Sequence, residues 1–466
     1  MRQGMNINLV RMSGIKRLPK RYLLVVWILV LSAVAFLDRT NISIAGVQIS
    51  REFKIDNAHL GWVFSAFLIG YAVFQIPGGM LARYLGPRRV LALSVVCWGL
   101  FTVLTTLVPP GIGGALLLLI LVRFLLGAGE AMMYPAANQF VERWFPIDER
   151  GKANGIIFAG VGLGSGLTPP LVTAIIWLYG WRASFWFSAV VGILAGAVWY
   201  LAARDSPEEH PLVNTEELEW IVRGRGDDRD APQGNPAVAS IRSDEKQSVP
   251  WAKIFSSKTI LALTGSYFTF GYVAWIFFSW FYIYLAQVRG LDLKTSAIYS
   301  MFPFIAMTLG SLVGGVASDW LTLRYSARVG RCVLPALALM LTATLLVVGS
   351  RAHDAQSASL ILACGAGALY LSQSCYWSVT ADVAGEYSGV VSGTMNMGCQ
   401  VGGAVTASLT PLIASHFGWN ASFLTATLLA ILGALAWLTV DPAMRLSVIG
   451  EPPSGFSPDR AQHYTS

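Results

Sequence analysis

Charge is what this chain has little of. Asp, Glu, Lys and Arg make up only 13% of its 466 residues, about half the roughly 25% of a typical soluble domain. That shortage excludes an ordinary soluble fold. Histidine and cysteine are also scarce, five of each. All five histidines (His59, His210, His353, His416 and His463) fall between or outside the apolar runs, so no histidine relay or metal cluster within those runs is expected. The sequence has no H-E-x-x-H, no phosphate-binding Gly-Lys loop and no nucleophile elbow. An enzyme is not expected, and no cofactor is called for. Cys97, Cys332, Cys364, Cys375 and Cys399 lie in or beside apolar runs, and an odd number there points to reduced thiols rather than a disulfide framework.

What replaces charge is apolar length. The chain is 55% hydrophobic, its mean hydropathy is +0.56, and apolar runs recur along it, each long enough for a hydrocarbon core of about 30 Å. A β-barrel would show short alternating segments instead. The expected fold is an all-α polytopic membrane protein of twelve transmembrane helices. They cover approximately 22–47, 58–84, 88–108, 113–144, 150–178, 182–203, 260–289, 293–322, 330–350, 357–382, 387–415 and 420–440. Residues 204–259 interrupt the pattern with charge, Pro and Gly, and divide the helices six and six. The expected organisation is an N-tail (1–21), a first bundle (22–203), the linker (204–259), a second bundle (260–441) and a C-tail (442–466). Within the linker, Thr215 to Arg223 has the pattern of a short amphipathic helix with Thr215 as its N-cap. The first apolar run is too long for a cleaved signal peptide and carries Asp38-Arg39.

The net charge of +7 is an orientation signal rather than a nucleic-acid patch. With both termini inside, 25 of the 33 Lys and Arg lie on the inner side, six lie outside and two, Arg39 and Arg123, lie within spans. Both termini are therefore expected in the cytoplasm.

The two bundles echo one another. Gly180-Trp181-Arg182-Ala183-Ser184-Phe185 recurs as Gly418-Trp419-Asn420-Ala421-Ser422-Phe423, and Thr168-Pro169 recurs as Thr410-Pro411. The stretch 78–89 is echoed at 314–331, each after the second helix of its half. Paired six-helix halves in parallel repeat are an arrangement of alternating-access transporters, with the site at the midplane between them.

Charge inside the spans is the feature that points to a site. From Tyr22 to Ser50 the only charged side chains are Asp38 and Arg39, and the fourth span carries Arg123 and Glu130. A charge at the bilayer centre costs roughly 2.5–3.5 kcal/mol even on insertion scales, so such residues mark function by default. Arg123 and Glu130 are seven apart, about 10.5 Å along a helix and nearly on one stripe. The helix directions suggest a ladder from outside to inside: Asp38 with Arg39, then Arg123, then Glu130. Adjacent residues point about 100° apart, so Asp38 and Arg39 cannot both face one cavity centre.

These residues resemble the major facilitator superfamily. Its inner-loop signature is matched by Gly79, Gly86, Arg88 and Arg89, with Arg83 where the family has an acid; the second half keeps its acid as Asp319. By the resemblance, these positions form a conformational latch. Within the superfamily the chain is most similar to the anion:cation symporter branch, through FLDRTNISIA (36–45), GWVFSAFLIGYAVFQIPGG (61–79), RFLLGAGEAMMYPA (123–136), ERWFPIDERGKANG (142–155) and SGTMNMGCQVGG (392–403). That implies a proton-driven symporter of sugar acids or other organic anions, a monomer in a bacterial inner membrane. Its partners would be a small organic anion, protons and the lipid bilayer, with no nucleic acid.

The chemistry supports those roles. A guanidinium stays charged and matches a carboxylate in shape, while a carboxyl in a partly dry cavity gains or loses its proton according to its neighbours. Asp38 and Glu130 are the candidate proton carriers. Arg39 is the candidate substrate contact, and Arg123, also a candidate for the substrate site, is the expected partner of Glu130. The bland alternative is a set of ion pairs locking the first helix to the fourth. Tyr71 is a further candidate for the cavity. So are Tyr272, Trp275 and Ser279 on the seventh helix, Trp377 and Ser378 on the tenth, and Asn396 and Gln400 on the eleventh. An unbonded amide in lipid is costly, so the last two are expected to face a cavity or a neighbouring helix. The glycine run Gly160, Gly162, Gly164 and Gly166 is expected to serve close helix packing. Galactonate-type relatives have a Gln where Val161 stands. A phosphate antiporter is disfavoured because 260–288 has no Arg or Lys. A non-transporting sensor would need a soluble partner region that the linker and tails do not offer.

Overall fold

The computed structural model describes residues 19–55, 57–225, 249–281, 284–291 and 293–446. The expected tails fall almost wholly outside these residues, as does the middle of the linker. Among the described residues the chain is helical throughout, with no strand.

The first half contains α1 (Lys20–Phe53), α2 (Asn57–Leu85), α3 (Pro87–Leu107), α4 (Ala115–Glu130), α5 (Met133–Trp144), α6 (Arg150–Tyr179) and α7 (Trp181–Ala202). Two short linker helices follow, α8 (Thr215–Gly224) and α9 (Trp251–Ser256). The second half contains α10 (Lys258–Ser279), α11 (Leu293–Arg324), α12 (Leu334–Arg351), α13 (Ala355–Leu371), α14 (Gln373–Ala384), α15 (Ser388–Phe417) and α16 (Trp419–Ala436). The expected fourth span is broken into α4 and α5. Pro135 lacks an N–H and its ring meets the carbonyl of residue 131, where the helix ends. The expected tenth span is broken likewise, into α13 and α14.

Among the described residues, ten helices are long and apolar enough to cross a membrane, or eleven if the bent stretch Ile147–Tyr179 is one span. The remaining helix of the expected twelve is α15, 30 residues long with Asn396 and Gln400 on it. Its polar residues face protein rather than lipid: Asn396 and Gln400 are 3% and 5% exposed.

Gly180 and Gly418 link α6 to α7 and α15 to α16 with matching torsions, φ 81° and ψ 167° against φ 82° and ψ 163°. Equivalent contacts recur between the halves. The Ser32 hydroxyl lies 2.7 Å from the Tyr134 hydroxyl, and Ser266 lies 2.7 Å from the Tyr376 hydroxyl. The linker helix α8 is capped by Asn214, which accepts from Glu217 N at 2.7 Å, so the cap is one residue before Thr215. Glu217 in turn accepts from Lys20 N and Arg21 N, which seats α8 on the first turn of α1.

The halves meet along α6 against α11 and α2 against α15. The alternating glycines let α6 pack tightly on two sides. A Cβ at Gly164 would lie 2.2 Å from Ala33 O of α1, and one at Gly162 would lie 2.4 Å from Phe304 O of α11. At the end of the bundle that carries the linker, polar bonds join the halves. Arg150 donates to Asp382 at 2.9 Å, and Asp319 accepts from Gly151 N at 2.9 Å and from Arg331 at 2.7 Å. Asn138 donates to Thr380 and Asn154 to Ser378. Asp319 is thus an acid at the N-terminus of α6, where the helix leaves N–H groups unsatisfied.

The other expected latch residues act differently from one another. Gly79 touches the opposite half, and a Cβ there would lie 2.0 Å from Gly389 O. Arg83, in the place of the absent acid, lies over the Tyr387 ring of the second half at 4.4 Å. Gly86 (φ 87°) turns the chain into α3, beside Asp205, which accepts from Arg88 N at 2.8 Å. The Arg88 side chain stays within its own half on Tyr200, and Arg89 is exposed.

Gly79→Leu should wedge the linker end apart. In a background lacking the five native cysteines, a Thr380→Cys thiol should then label at least about tenfold faster with a polar reagent, since a side chain cannot fit at that backbone contact. An unchanged rate would contradict this closure.

Candidate functional site

The four buried charges converge at the middle of the first half, with a pairing that the sequence order alone does not suggest. α1 extends from Lys20 to Phe53, longer at both ends than the expected 22–47, so Asp38 and Arg39 sit at mid-helix rather than in an outer half. Glu130 ends α4 and is likewise at mid-span, because α5 continues the crossing. Arg39 and Glu130 therefore meet: Arg39 Nε donates to Glu130 Oε1 at 2.6 Å, with both side chains nearly dry at 6% and 0% exposed. The expected Arg123–Glu130 pair is absent. Arg123, 2% exposed, lies with its guanidinium 5.0 Å from the Phe67 ring centre, and its Nε and Nη1 have no hydrogen-bond partner.

The adjacency of Asp38 and Arg39 is resolved by their facing different neighbours. Asp38 points to α3 and accepts from Thr102 at 2.9 Å, leaving Oδ1 unpartnered. Asn41, one turn on, accepts from Ser184 of α7 at 2.7 Å. Arg39 points the other way, into a space between the halves, with Tyr71 at 4.3 Å and Phe36 at 4.6 Å under its guanidinium. Such aromatic faces attract a cation most strongly where water is excluded.

That space is a cavity with an empty volume of about 440 Å³, open mouth included. Of the expected residues, Arg39, Tyr71, Trp275, Trp377, Asn396 and Gln400 line it. Arg123, Tyr272, Ser279 and Ser378 do not. Tyr272 is fully buried on another face of α10, against α15 at Gly402. Ser378 is turned toward Asn154 in the contact between the halves. Asp38 and Glu130 do not line the cavity either, though Glu130 holds Arg39 of the wall. The cavity lies on the far side of the polar bonds that close the linker end.

Several wall residues escaped the sequence reading although helical spacing marks them. Tyr134 is four after Glu130. Gln373 and Tyr370 precede Trp377 by four and seven, and Tyr267, Phe270, Ala274 and Phe278 form one stripe of α10. Extending each stripe from a chosen polar residue would have found them. Val161 also lines the cavity, and so does the free thiol of Cys399.

Comparison with known proteins gives a consistent result. Residues 28–407 match the family described as Major Facilitator Superfamily. The chain is 32% identical over 435 residues to a probable sulfoacetate transporter of Cupriavidus necator, covering 92% of this chain and 96% of that one. It is 28% identical to a probable galactarate/D-glucarate transporter of Escherichia coli, covering 91% and 95% respectively. Its fold matches that of a proton:xylose symporter bound to 6-bromo-6-deoxy-D-glucose, with a TM-score of 0.70, 16% identity and coverage of 89% and 94%. With a cavity between two helical halves and no counterpart of an enzyme among these relatives, the chain belongs to the Major Facilitator Superfamily and is a membrane transporter akin to its organic-anion members.

Proposed function

We propose that this protein imports a small organic anion together with protons by alternating access. In this reading it works as a monomer in a bacterial inner membrane, with the termini and linker in the cytoplasm. The observation that carries the reading is the dry Arg39–Glu130 pair at the cavity wall. A buried cation that loses its only partner is left uncompensated, at a cost of roughly 3–5 kcal/mol. A substrate carboxylate or sulfonate reaching Arg39 takes the place of Glu130. The freed Glu130, itself 0% exposed, has then lost its bonded counter-charge and is most cheaply held as the neutral acid. Anion and proton entry are coupled by that exchange.

Asp38 is the second proton site in this scheme. Its unpartnered Oδ1 and the unpartnered guanidinium nitrogens of Arg123 leave a buried acid and a buried base that are not bonded to each other. The names of the relatives support an anion as cargo. The excess of Lys and Arg at the linker end supports the orientation, and the closed linker end together with the cavity beyond it supports a state accessible from the opposite side.

In proteoliposomes with an imposed inward proton gradient, Glu130→Gln and Asp38→Asn should each lower accumulation at least about tenfold while substrate exchange at equal pH persists. Full accumulation by either variant would remove that residue from the proton path. Uptake driven by a sodium gradient alone would overturn proton coupling. Arg39→Ala should weaken anion binding by at least about a hundredfold, the scale of removing one member of a buried charge pair.

A further inference from the structure

We propose that the anion carried is a flat aromatic monocarboxylate bearing a hydrogen-bond donor at the end remote from its carboxylate, in the manner of a hydroxybenzoate. This rests on the reading of the cavity as an organic-anion site and specifies its cargo.

The first observation is the composition of the wall. Ten of its seventeen residues are aromatic, and Arg39 is the sole charged side chain among them. Flat faces come from both sides: Phe36 and Phe158 from the first half, Phe270, Trp275 and Phe278 from the second. Aromatic contacts of this kind contribute about 0.5–1.5 kcal/mol each beyond the area they bury.

The second observation is that the wall holds a single cation and that part of its hydroxyl capacity is already spent, the Tyr71 hydroxyl being left without a partner. Of the four tyrosine hydroxyls on the wall, that of Tyr134 is bonded to Ser32 at 2.7 Å. That of Tyr267 accepts from Gln373 Nε2 at 2.7 Å and from Trp377 Nε1 at 3.0 Å. A sugar diacid brings a second carboxylate and several hydroxyls. The wall has no second cation for the carboxylate, and each buried hydroxyl without a partner costs about 1–3 kcal/mol.

The third observation fixes the remote group. Gln373 and Gln400, 3% and 5% exposed, each present a side-chain oxygen with no hydrogen-bond partner. Both lie on the second half, across the cavity from Arg39. Unsatisfied buried acceptors favour a ligand that donates to them. A carboxylate on Arg39, a ring between the aromatic walls and a hydroxyl on the glutamine oxygens satisfy all three groups at once.

The test is ligand affinity, by thermal stabilisation of the purified full chain, for 4-hydroxybenzoate, benzoate, cyclohexanecarboxylate, galactarate and sulfoacetate. The expected order has 4-hydroxybenzoate tightest, at least about tenfold ahead of cyclohexanecarboxylate and of both non-aromatic dianions. Combining Gln373→Leu with Gln400→Leu should lower the preference for 4-hydroxybenzoate over benzoate by about tenfold. An unchanged preference would remove the glutamines from the donor site. Galactarate or sulfoacetate binding as tightly as the aromatic acids would overturn the aromatic assignment and leave the organic-anion reading standing. Binding of a neutral sugar with none of the five acids would overturn both.

Discussion

The 2.6 Å contact between Arg39 and Glu130 is the interaction around which the first half is built. Either charge is costly alone at the centre of a bundle, and the contact between them offsets part of that cost. The requirement explains local features that otherwise have no common cause. α1 must pass close to the end of α4, and the turn before Pro135 places Glu130 at mid-span, where Arg39 reaches it. Tyr71 and Phe36 supply the guanidinium with aromatic faces, and Thr102 holds the neighbouring Asp38 away from it. In the proposed scheme a pair that stabilises the fold and a site that binds an anion are one arrangement, because both use the Arg39 guanidinium.

In the proposed cycle, the remainder of the structure decides when that partner can change. At the linker end, the ion pair of Arg150 with Asp382 and the capping of α6 by Asp319 hold the halves together. The glycines of α6 allow it to lie between α1 and α11 at backbone contact, so a rotation of one half is felt by the helix that carries Arg39. Arg83 shows how a lost acid need not mean a lost contact. It meets the ring face of Tyr387 of the second half. The linker helix α8 adds a further brace, since Glu217 engages both the backbone and the side chain of Arg21 while Arg21 also holds Glu149.

Much of this was legible in the sequence. Apolar length revealed the spans, and the cost of charge in lipid singled out Asp38, Arg39, Arg123 and Glu130. The Gly-Trp echo marked the turns at Gly180 and Gly418, which adopt matching torsions. What was not legible was the pairing. Seven residues of separation put Arg123 and Glu130 on one stripe, yet Glu130 bonds to Arg39, because partner choice depends on how two helices cross and where each begins. The extra residues of α1 shift Asp38-Arg39 to mid-helix, and no periodicity in an almost uniformly apolar run marks those ends. The aromatic wall was missed for a related reason: in an apolar span a Tyr or Phe facing a cavity has the same pattern as one facing the core.

The central claim is that the substrate anion takes Arg39 from Glu130 and that Glu130 then takes a proton. Proton exchange on binding measures this directly. Titrating the purified protein with its anion in weakly buffered solution, at a pH where Glu130 is ionised, should show uptake on the order of one proton per anion bound. Glu130→Gln should bind without that uptake. Wild-type protein that binds its anion with no change in bound protons across the accessible pH range would contradict the account.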